Sequence, residues 1–119
     1  MPASILIVDS SDDNREVLRT ALGRRGLTIW EAEDESDGLE LARQHHPDVI
    51  LLDVDENPDA AQSLTAREQW RAVANDDGSC LILLGAFRRG AGAGERLFSK
   101  PYHFGPLIHT IEQLAARAA

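Results

Sequence analysis

Asp9, Asp53 and Lys100 each stand directly behind a run that reads as a β-strand: Ile5-Leu6-Ile7-Val8, Val49-Ile50-Leu51-Leu52 and the weaker Arg96-Leu97-Phe98-Ser99. Asp55 lies two positions beyond Asp53. Carboxylates are hard oxygen ligands for a divalent cation and can act as nucleophiles, while a lysine ammonium answers a nearby anion. The same residues also have ordinary structural uses: Asp9 and Asp53 can cap helices, and Lys100 can be a solvated lysine at a strand end. What separates these readings is whether the fold gathers the residues.

The elements that would position them alternate along the chain. The first strand is followed by Asp9-Ser10-Ser11-Asp12-Asp13, a set of helix-capping residues, and then by Val17, Leu18, Ala21 and Leu22 at helical spacing until Gly26. Leu27-Thr28-Ile29-Trp30 alternates like a second strand, and Ser36 or Asp34 opens a helix carrying Leu39, Leu41 and Ala42 as far as Pro47. After the third strand and a loop closed by Asn57-Pro58, a helix runs through Leu64, Ala66, Trp70 and Val73 to the turn at Asn75-Asp76-Asp77-Gly78. Leu81 to Leu84 forms a fourth strand. Gly90, Gly92 and Gly94 each cost a helix about 1 kcal/mol relative to Ala, so a long helix between Ala86 and Glu95 is disfavoured. Pro106 opens a last helix with Leu107, Ile108, Ile111, Leu114 and Ala115 on one face. Such alternation demands right-handed crossovers and a parallel sheet covered on both sides, whose ligands sit beyond the carboxyl ends of the strands. Asp9, Asp53, Gly85 and Lys100 would then share one rim.

Composition narrows the function classes. The 119 residues fit one domain, residues 1–119, and 20 acidic against 12 basic residues give a net charge of -8, the wrong sign for gripping nucleic acid. Arg24-Arg25 and Arg88-Arg89 read as solvated helix ends or loops. Cys80 is the one cysteine, so no internal disulfide and no cysteine metal cage can form, as suits a reducing cytoplasm. No apolar run approaches the roughly 18 residues that span a bilayer. The glycine-rich run 90–95 lacks a phosphate-loop ending, and His45-His46 reads as a helix-end charge contact rather than a metal site. Trp30 and Trp70 read as packing residues.

Ile5-Leu6-Ile7-Val8-Asp9, the string 49–55 ending Asp53-Val54-Asp55, and Lys100-Pro101-Tyr102 together resemble, in order and spacing, three signature segments of the CheY-like response-regulator receivers. The resemblance implies a flavodoxin-like α/β fold, a doubly wound five-stranded parallel sheet of order 2-1-3-4-5 with helices on both faces. It implies a histidine kinase or phosphotransfer protein as donor, Asp53 as phosphoacceptor, and magnesium held by Asp9, Asp53 and the Asp55 carbonyl. Lys100 and the backbone N–H of Ala86 would face the phosphoryl oxygens. A downstream effector domain or protein, or a second copy in a homodimer, would receive the signal. The reaction would be acceptance of a phosphoryl group, with at most self-phosphorylation from small donors and autodephosphorylation, rather than enzymatic turnover.

The chain departs from the family pattern at several positions. Ser10 replaces a second acid, which weakens magnesium binding unless Asp12 or Asp13 reaches in. Gly85 replaces the Thr or Ser whose hydroxyl meets the phosphoryl group, and Leu97 replaces the aromatic switch residue. Glu56-Asn57-Pro58 shifts the expected proline by one, and the short interval from Gly85 to Lys100 predicts a fourth helix that is short or missing. These changes motivate an alternative, a pseudo-receiver that acts as a protein-interaction or dimerisation module without phosphorylation. Asp53-Val54-Asp55 also resembles the nucleophile motif of haloacid-dehalogenase-like phosphatases, although there it normally follows the first strand.

Overall fold

Continuous apolar strands need cover on both faces. The computed structural model describes residues 3–53, 68–75, 78–85, 95–99 and 104–118, and supplies that cover. Strands β1 (Ser4–Val8), β2 (Thr28–Ala32), β3 (Val49–Asp53), β4 (Cys80–Gly85) and β5 (Glu95–Ser99) form one sheet of order β2-β1-β3-β4-β5, every neighbouring pair parallel. Helices α1 (Asp12–Gly23), α2 (Glu35–His45), α3 (residues 68–75) and α4 (Phe104–Ala118) accompany it. The chain runs from β1 outward to β2, then crosses back over β1 to β3, so the strand order reverses between β1 and β3.

Alternate residues of each inner strand face opposite layers. Ile5, Ile7, Val49, Leu51, Ile82 and Leu84 pack with Leu18 and Leu22 of α1 and with Leu107, Ile111 and Leu114 of α4. Leu6, Val8, Ile50, Leu52, Leu81 and Leu83 pack with Ala42 of α2 and with Trp70 and Val73 of α3. Trp70 is fully buried, and Trp30 stacks on the imidazole of His45 with ring centroids 4.5 Å apart, so both tryptophans serve packing.

The caps follow side-chain chemistry. Ser11 is the N-cap of α1, its hydroxyl accepting from the backbone N–H of Asn14 at 3.2 Å. Asp34, rather than Ser36, caps α2, accepting from the N–H of Asp37 at 2.8 Å. That helix ends with His46 in the left-handed region at φ 49°, donating its N–H to the Ala42 carbonyl at 2.9 Å. At the amino edge of the sheet, Asp48 accepts from the Ser4 N–H at 2.8 Å and its carbonyl accepts from the Cys80 N–H at 2.9 Å. These contacts tie the starts of β1, β3 and β4 together. The expected shortening of the helix between β4 and β5, and the start of the helix through Leu64 and Ala66, fall on residues outside those described. No helix among the described residues is long and apolar enough to cross a membrane.

Candidate functional site

The register of the inner strands sets the site. Val8 lies beside Leu52 and Asp53 beside Leu84, so Asp9 and Asp53 close adjacent parallel strands at the edge where the strand order reverses. That edge is the ligand-binding edge of a doubly wound sheet. At 3% exposure Asp9 is the buried charged residue of the described part of the chain, and Asp53 is half-buried.

A buried carboxylate is tolerable only when hydrogen-bonded. The Oδ1 of Asp9 accepts from the Ser11 N–H at 2.9 Å, and its Oδ2 accepts from the Asn14 side-chain amide at 2.8 Å. Its own N–H donates to the Ala32 carbonyl at 3.1 Å, fastening the end of β1 to the end of β2. Asp9 is therefore not the cap of α1, a role that Ser11 fills.

A match to the family model of the response regulator receiver domain covers residues 5–56, the stretch that carries both carboxylates. Over residues 5–56 the chain belongs to the response-regulator receiver family. Among curated relatives, the receiver is 34% identical over 113 residues to the KDP operon transcriptional regulatory protein KdpE of Escherichia coli, covering 87% of this chain and 47% of that one. It is 44% identical over 52 residues to protein PilH of Pseudomonas aeruginosa, covering 44% of this chain and 43% of that one. The matched stretches thus span about half the length of these relatives, or less. The receiver domain of Francisella response regulator 1452 superposes with a TM-score of 0.77 over 98% of this chain and 99% of that one at 18% identity, a likeness of fold.

Two of the residues expected at the receiver site are thereby brought to neighbouring strand ends, Asp9 and Asp53. Gly85 ends β4 opposite Ser99, and Leu97 sits in β5 opposite Leu83. Lys100, Asp55 and Ala86 lie outside the described residues. Ser10 and Asp13 are exposed, and Asp12 is exposed and paired with Arg15. Among the described residues, no three His, Cys, Asp or Glu side chains converge as a metal cluster. The donor types at the rim nevertheless fit magnesium, which takes hard oxygen ligands and keeps several waters. Asn14 was not singled out by sequence. Its only signal is a side-chain amide in the first turn of the helix that follows the acid.

The rim continues into α2. Burial raises the Glu35 carboxyl above the ordinary glutamate value of 4.5, an effect moderated by the nearby Trp70 indole N–H, which makes no regular hydrogen bond among the described residues. Arg15 of α1, Glu31, Ala32 and Glu33 at the end of β2, and Asp37, Glu40, Leu41 and Gln44 of α2 line an open cleft of about 470 Å³. Arg15 spans this flank, paired with Asp12 and lying 3.6 Å from Glu33 and 4.0 Å from Glu31.

Proposed function

We propose that this receiver accepts a phosphoryl group on Asp53 from a histidine kinase or phosphotransfer protein in the cytoplasm, and passes the signal to an effector domain or partner protein. The observation that carries this reading is the placement of Asp9 and Asp53 at the ends of adjacent strands where the sheet order reverses. In the transfer, an Asp53 carboxylate oxygen attacks phosphorus, the bond from phosphorus to the donor's imidazole nitrogen breaks, and the imidazole leaves as the proton-bearing neutral ring. Two anions meet in that step, so catalysis is chiefly charge compensation. Magnesium, held by Asp9, Asp53 and the Asp55 carbonyl, would supply Lewis-acid compensation. Lys100 and the Ala86 N–H would neutralise the phosphoryl oxygens. Gly85 brings no hydroxyl and Leu97 no aromatic rotamer to the relay, so phosphorylation would change the output surface weakly.

Incubation with acetyl phosphate and magnesium should add one phosphoryl mass to the intact protein. Asp53→Asn should abolish it. An unmodified wild-type mass under those conditions would count against the proposal.

A second reading is favoured by the Asp9 hydrogen bonds, because the carboxylate is satisfied by Ser11 and Asn14 without a cation. Under it the chain is a pseudo-receiver that binds an effector or a second copy of itself regardless of phosphorylation. Partner binding or dimerisation unaffected by Asp53→Asn, together with an absent phosphoryl adduct, would select it.

A further inference from the structure

Asp9, Ser11 and Asn14 form a closed circuit. The Ser11 N–H donates to Asp9 Oδ1, the Asn14 N–H donates to the Ser11 hydroxyl, and the Asn14 side-chain amide returns to Asp9 Oδ2. The acid at the rim is thus held by Ser11 and Asn14, the two residues that also make the cap of α1. We infer that Asn14 is a positioning residue for Asp9, fixing with a neutral amide the carboxylate that would bind a divalent cation; the inference rests on the phosphoacceptor reading of the rim.

The physical case has three parts. Ser10, the position beside Asp9, is exposed and carries no charge, so it neither ligates strongly nor orients its neighbour. Asn14 supplies the side-chain donor to Asp9 among the described residues, and a neutral donor orients the carboxylate without competing for the cation. An ionised carboxylate has about four acceptor positions. The amide and the Ser11 N–H use two of them, which leaves lone pairs for a metal. Partners that orient a metal ligand in this way commonly set metal affinity within a factor of about 10 to 100. The cap itself uses the backbone N–H of Asn14, so changing the side chain leaves the start of α1 intact.

The test is a titration with magnesium alone, followed by NMR shifts of the backbone amides around residues 9–14, with circular dichroism confirming the fold of each variant. Asn14→Ala should weaken magnesium binding about 10-fold, and Asn14→Gln, which keeps an amide donor, should recover part of the loss. A purely structural role would alter the melting temperature without this loss and rescue. In metal-free buffer the Asn14 side-chain amide protons should exchange slowly with water, and rapidly in Asp9→Ala. Should Asn14→Ala fail to fold, the Asn14→Gln affinity and this exchange measurement decide. Wild-type binding that Asp9→Asn abolishes but Asn14→Ala leaves unchanged would overturn the role of Asn14 and spare the phosphoacceptor reading. Absence of any magnesium response in the wild type would overturn both.

Discussion

Two carboxyls near the rim meet burial in different ways. Asp9 is removed from water almost completely and receives two N–H donors, one from backbone and one from Asn14. Glu35, at the first turn of α2, is partly desolvated by burial, and its carboxyl is pushed upward because the charged form is penalised, with the Trp70 indole N–H opposing the shift. The folded chain therefore holds the Glu35 proton more tightly than the unfolded chain does. Its contribution to stability is full below the unfolded value of 4.5 and is lost as pH rises through the higher folded value. Glu35→Gln keeps the shape and removes the titration, so the stability of this variant relative to wild type should improve from pH 4 to pH 7. Urea midpoints at both pH values check this, and a difference that does not change with pH would show that Glu35 ionises without cost in the fold.

At the scale of elements, the seat of α2 depends on an absent side chain. A Cβ at Gly38 would stand 2.7 Å from Val8 Cγ2 and 3.0 Å from Trp70 Cη2, so the glycine lets the helix lie directly on β1 and the indole. Gly38→Ala would gain about 1 kcal/mol of helix propensity. Overpacking against a β-branched strand residue and a fully buried tryptophan costs about 1 to 3 kcal/mol, so net destabilisation of up to about 2 kcal/mol is expected by chemical denaturation. A raised midpoint would mean that α2 slides to make room. The strands and helices themselves were legible, because runs such as 49–52 have no second way to hide four apolar side chains and because Asp9 and Gly26 punctuate them, although α4 begins at Phe104, two residues ahead of the expected opening at Pro106. Less was visible at the ends. His46 adopts the left-handed conformation usually left to glycine, and the choice of Asp34 over Ser36 as cap depends on where β2 delivers the chain. Asp9 and Asp53 could be placed at one rim from strand endings alone. The bond from Asn14 to Asp9 could not, because it depends on how α1 turns back over the end of β1, which periodicity does not report.

The whole molecule is held by strands that belong to both layers at once. In β1, Ile5 and Ile7 serve the layer of α1 and α4, while Leu6 and Val8 serve the layer of α2 and α3. In β3, Val49 and Leu51 divide from Ile50 and Leu52 in the same way. Neither layer can open without stripping cover from strands that the other needs, so unfolding should be a single cooperative transition. The chain carries a probe on each side: Trp30 and Trp70 pack with the α2 and α3 layer, and Cys80 packs against the other. Ile7→Ala and Leu6→Ala, each truncating a residue with no exposure, should cost about 2 to 5 kcal/mol. Each should lower the denaturation midpoint seen by tryptophan fluorescence and the midpoint seen by Cys80 thiol reactivity by the same amount, although only one probe lies on the mutated side. If Ile7→Ala moved the thiol transition and left the fluorescence transition in place, the two layers would be separate units. A change made at the rim could then reach the helices of one layer without being felt by the other.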